Sequence, residues 1–130
     1  MFLARQRDVD GMAERVEQFY PEFFGNIRDA VPAGQTIRQY YATLAASSNR
    51  DDVLKSYYLY GRCESLLDDM DPEFPVDEPD DKRLNGWRIY MHYDALNYGV
   101  AENQILENID RIAHIPTLIV HNRLDMICPI

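Results

Sequence analysis

The chain has 130 residues, of which 46% are hydrophobic, and its 13 Lys+Arg against 22 Asp+Glu leave a formal net charge of −9. That length fits one small domain with a modest core. The acidic balance excludes nucleic acid and anionic membrane surfaces as partners, because phosphate binding needs clustered cations, and it leaves room for a cationic ligand.

The two cysteines, Cys63 and Cys128, have no paired spacing, which speaks against a disulfide framework or a zinc site. Reduced thiols in the cytoplasm are the simpler reading. No apolar run approaches the roughly 18 residues that a membrane-spanning helix needs. The opening "MFLARQRDVDG" turns charged too soon for a signal peptide and reads as a chain entered in the middle of an element.

The first predicted helix covers about 8–20, with Met12, Val16, Phe19 and Tyr20 at helical spacing and Pro21 limiting it. Phe23 and Phe24 then carry aromatic surface into a loop. A second helix follows "VPAGQ", with a stripe of Ile37, Tyr40, Tyr41 and Leu44, and "SSNRDD" ends it and offers caps for the next. The third helix is expected over about 51–67, with Val53, Leu54, Tyr57, Tyr58 and Leu66 on its apolar side. "DDMDPEFPVDEPDDK" holds eight acids and three prolines and reads as a solvated loop; it lacks the central glycine of a calcium loop. A fourth helix, about 82–98, carries Trp87, Ile89, Met91 and Leu96, with Gly99 suited to its C-terminal cap. A fifth, about 101–113, has Ile105, Ile109 and Ile112 in register, and after Pro116 the run "TLIV" is a short strand candidate. The expected class is therefore mainly α, about five helices and one short strand. A lone strand cannot satisfy its own backbone, so a pairing surface is expected outside this chain.

In parallel α/β sheets, ligands and reacting groups gather beyond the C-terminal ends of strands. Asp125 lies a few residues past Val120, in the loop "HNRLD", where a carboxylate can orient a histidine as the acid of a serine-hydrolase triad does. On pattern alone, an acid in a loop after a strand is more often solvated or capping.

The stretch "IPTLIVHNRLDMICP" resembles the strand and acid loop of the proline iminopeptidases, serine peptidases of the α/β-hydrolase fold whose pattern is approximately I-P-x-x-I-V-H-G-R-Y-D-x-x-C-P. Ile115, Pro116, Ile119, Val120, His121, Arg123, Asp125, Cys128 and Pro129 match; Asn122 and Leu124 stand where that family has glycine and, usually, tyrosine. "FLARQRDVDG", "YYATLAASSNRDD" and "ENIDRIAHIP" are similar to segments of the family's helical cap and its return to the core.

The resemblance implies a helical cap over 1–113 and a fragment of the α/β-hydrolase core over 114–130. Asp125 would be the triad acid. Glu64, in "YGRCESLL", would hold the substrate's amino group, with Cys63 where the family has tryptophan. Tyr90, in "IYMHYD", occupies the place of a second amine-binding glutamate, and a phenol brings no negative charge at neutral pH. The implied substrate is a peptide or small amide with an N-terminal proline. No metal or organic cofactor is implied.

The four serines, Ser47, Ser48, Ser56 and Ser65, lie outside any G-x-S-x-G context, and His92, His114 and His121 all precede Asp125. The nucleophile and the triad histidine are therefore expected elsewhere, in the remainder of a hydrolase core, and the 130 residues alone are expected to be inactive. The residues leave two other readings open: a different capped hydrolase acting on esters or amides, and a non-catalytic helical binding module.

Overall fold

The computed structural model describes residues 6–69, 77–123 and 125–127. The described chain is mostly helical: α1 (Gln6–Phe19), α2 (Pro21–Asp29), α3 (Ile37–Ala45), α4 (Arg50–Leu59), α5 (Gly61–Asp69), α6 (Asp81–Ala95) and the single turn α7 (Gln104–Glu107), with 3₁₀ turns at Asn97–Gly99 and Ile109–Arg111. No strand occurs among the described residues.

The expected first helix continues past Tyr20 as a second one. Pro21 does stop α1, but it also begins α2, since proline fits the first turn of a helix where its missing N–H has no partner to lose. Phe23 and Phe24 thus lie on a helix rather than in a loop, and Phe24 and Ile27 are buried. Helix α3 starts at a complete capping box: Thr36 Oγ1 accepts from the Gln39 N–H, and Gln39 Oε1 accepts from the Thr36 N–H.

The helix expected over 51–67 is two helices that meet at Tyr60 and Gly61. At this junction the chain runs close to an aromatic ring: a Cβ on Gly61 would lie 3.3 Å from the indole of Trp87, tight enough that the ring would have to shift by a few tenths of an ångström. The acidic segment is not simply solvated where it is described: Pro79 is buried, Asp80 caps α6 by accepting from the Arg83 N–H at 2.8 Å, and Arg50 reaches Asp81 at 2.7 Å and the Pro79 carbonyl at 3.2 Å.

Helix α3 packs on α4 and α6, and α1 packs on α2 and α5. The core consists of Val16, Phe24, Ile27, Tyr41, Ala45, Val53, Tyr60, Cys63, Leu67, Leu84, Trp87 and Met91. A polar thread runs through it. Trp87 Nε1 donates to Ser56 Oγ at 3.0 Å, Ser56 Oγ donates to the Tyr41 carbonyl at 2.9 Å, and the Tyr41 hydroxyl donates to the Ile27 carbonyl at 3.0 Å. Three side chains therefore tie α6, α4, α3 and α2 together, each buried donor with an acceptor. Burial, reinforced by Tyr40 and Cys63, pushes the Tyr41 phenol up to about 12, so it remains a hydrogen-bond donor at any ordinary pH.

After α6 the packing thins. Tyr98 and Gly99 take positive φ (55° and 68°), turning the chain away from the helix axis. The helix expected over 101–113 forms only as α7 and a 3₁₀ turn, and "TLIV" forms no strand: Leu118 is 89% and Val120 89% exposed. Both outcomes have one cause. A short amphipathic helix depends on something to pack against, a strand on something to pair with, and residues 106–123 are exposed throughout.

Candidate functional site

Asp125 sits in a turn held by its own backbone. Its N–H donates to the Asn122 carbonyl at 3.1 Å, and its Oδ1 accepts from the Ile127 N–H at 3.0 Å. The second carboxylate oxygen lies 3.8 Å from His121 Nε2, while His121 Nδ1 is 2.8 Å from the Asn122 carbonyl. A proton on Nδ1 suits that carbonyl, so the neutral ring presents an unprotonated Nε2 to Asp125, and attraction between the two requires the imidazolium. Met126 and Ile127 pack against the helical core, and Arg15 of α1 donates through Nη2 to the Ile127 carbonyl at 3.1 Å. The acid is thus fastened to the helical body by the residues that follow it, not delivered on the tip of a strand.

Tyr90 lies on α6, stacked on Trp87 at 5.4 Å and edge-on to Tyr98 at 6.5 Å. With Tyr57 and Tyr60 also against Trp87, it belongs to an aromatic wall. Glu64 lies on α5, and its side chain is outside the described residues. Leu124, Cys128 and Pro129 are likewise outside them. Asp125 is anchored to α1 and Tyr90 to its neighbours around α6, so the contacts hold the two from different elements.

One charged pair was not anticipated. Asp94 of α6, with a side chain 3% exposed, lies 3.4 Å from the Arg38 guanidinium of α3, itself 16% exposed. The Tyr60 phenol beside them is pushed well up, first by burial and then by the Asp94 carboxylate, with Arg38 partly opposing. A buried carboxylate needs such a cation. The signal was present in the sequence: Leu84, Trp87, Met91 and Asp94 recur three or four residues apart and are the buried residues of α6. Ile89 and Leu96, which the predicted fourth helix also carries, are 59% and 57% exposed.

No group of three or more His, Cys, Asp or Glu is arranged to hold a metal among the described residues, and no helix there is long and apolar enough to cross a membrane. Cys63 is a buried thiol outside any disulfide, its Sγ 4.0 Å from the Leu59 carbonyl.

No family model matches the chain, and no solved structure matches it. Among curated proteins, it is 30% identical over 142 residues to a "Probable proline iminopeptidase" of Leptolyngbya boryana, an alignment covering 99% of this chain and 42% of that protein. It is 28% identical over 138 residues to a "Proline iminopeptidase" of Arabidopsis thaliana, covering 99% of this chain and 36% of the relative. A 45-residue stretch is 49% identical to a "Proline iminopeptidase" of Xylella fastidiosa (strain 9a5c). The chain spans less than half the length of the first two of these relatives. The chain is therefore similar, over nearly all of its own length, to proteins named proline iminopeptidase, and these matches support a proline iminopeptidase-like family for it.

Proposed function

We propose that this chain supplies the helical cap (1–113) and part of the core (114–130) of a proline iminopeptidase-like serine hydrolase, with Asp125 as its triad acid. The similarity to proteins of that name over 99% of the chain carries the reading. In it, a serine outside these residues attacks the carbonyl of the N-terminal prolyl residue, a histidine takes the serine's proton and returns it to the leaving amine, and water then releases the acyl group. Asp125 fixes that histidine's tautomer and stabilises its cation. Oδ1 accepts from the Ile127 N–H, which orients the carboxylate, and Oδ2 faces His121 Nε2 at 3.8 Å.

Glu64 is the proposed partner of the substrate ammonium. Tyr90 adds an aromatic surface suited to a pyrrolidine ring but no charge, and Asp94 is committed to Arg38. The reading places the protein in the cytoplasm, where the thiol of Cys63 stays reduced.

The amine contact is tested with the chain expressed together with the sequence encoded on either side of it. Turnover of prolyl p-nitroanilide is expected to exceed that of its N-acetylated form by about a hundredfold or more, the effect of losing a charged contact in a closed site. Tyr90 favours a second reading, a capped hydrolase of esters or other amides. Equal turnover of the free and blocked substrates, with faster hydrolysis of an ester, would establish it over the first.

A further inference from the structure

Two hydrogen bonds meet at Ile127: its N–H holds Asp125 Oδ1, and its carbonyl is held by Arg15 Nη2. The first closes a local turn and gives the loop its shape. The second reaches 112 residues along the sequence, and together with the packing of Met126 and Ile127 it gives the loop its place on the helical body. We infer that Arg15 is a positioning residue for Asp125: through Ile127 it sets the direction in which α1 and the acid loop present the carboxylate. This rests on the reading of Asp125 as the acid of the site.

The chemistry of Arg15 suits that role. Its neighbour Val16 is fully buried, so the backbone of α1 is fixed at this point. The guanidinium is a rigid, permanently charged fork, and a charged donor to a carbonyl makes a stronger bond than a neutral one. An irregular loop has no ladder of backbone bonds to hold it, so a long-range side-chain anchor influences its orientation to a degree that it would not in a sheet.

The test is NMR on the 130-residue chain as wild type, Arg15→Met and Arg15→Lys. In Arg15→Met the Ile127 amide is expected to exchange about tenfold faster. The Asp125 Cα–Cβ couplings are expected to collapse toward rotamer averaging, while the core amides of Tyr41 and Met91 keep their protection. Arg15→Lys, which keeps the charge but not the fork, is expected to show a smaller change of about threefold. Unchanged Ile127 exchange and Asp125 couplings in Arg15→Met would overturn the inference. So would loosening of Tyr41 and Met91 by the same factor, which marks general destabilisation. Should Arg15→Met not fold, the lysine variant decides, and a wild-type Ile127 signal there counts against the anchor. None of these signals depends on turnover, so a catalytically silent Asp125 with the anchor intact, or the reverse, separates this inference from the functional reading beneath it.

Discussion

Replacing Asp125 by Asn, in a polypeptide that unites this chain with the serine and histidine proposed to act with it, is expected to lower kcat on prolyl p-nitroanilide by about 10⁴-fold. KM is expected to change by only about a few fold. The amide keeps the shape of the carboxylate and one acceptor oxygen for the Ile127 N–H, so the turn survives. What it loses is the charge that holds the catalytic histidine in the right tautomer and stabilises its protonated form. Steady-state kinetics of the two proteins checks this. A loss of less than about tenfold would mean that Asp125 is a turn-forming residue and that the acid of the site lies elsewhere.

The second large effect concerns stability. Trp87→Ala is expected to destabilise the chain by about 3–5 kcal/mol, measured by urea unfolding. The indole touches Tyr57, Tyr60 and Tyr90, fills the space left by Gly61, and donates to the buried Ser56 hydroxyl. Its removal opens a cavity between α4, α5 and α6 and breaks the first link of the polar thread. Trp87→Phe separates the two contributions: it retains most of the ring and loses the donor, for an expected cost of about 1–2 kcal/mol. Near-equal costs for the two variants would show that the hydrogen bond, not the packing, dominates.

The helical character and most of the helix positions were legible in the sequence because they follow from periodicity and punctuation. The stripe of Ile37, Tyr40, Tyr41 and Leu44 became α3, and Asn49 caps α4 within the "SSNRDD" break. The sequence was less informative where two neighbours in space decide the outcome. At the interruption, Gly61 lies against Trp87, which is 26 residues away along the chain. Asp94 falls in the buried register of α6, but the cation that accompanies its burial, Arg38, lies on a different helix. Pro21 marks a helix boundary in the sequence, but the aromatic pair after it gives no sign that α2 begins there.

The C-terminal third separates two kinds of information. Its apolar spacing is that expected of a packed helix and a paired strand, yet Ile109, Ile112, Ile115, Ile119 and Val120 are all exposed. Periodicity records what a segment is built to pack against, whereas local structure forms only when that surface is present. The motif around Asp125 was legible through family resemblance. The means by which it is fastened, a cation on α1 binding a carbonyl, was not, because any side chain can supply the carbonyl and no motif marks it.

The most direct measurement compares two purified proteins on prolyl p-nitroanilide: the 130-residue chain by itself, and the chain expressed with the sequence encoded on either side of it. The account predicts no turnover above background for the first and, for the second, turnover that Asp125→Ala abolishes. Turnover by the 130-residue chain alone, lost in Asp125→Ala, would contradict it.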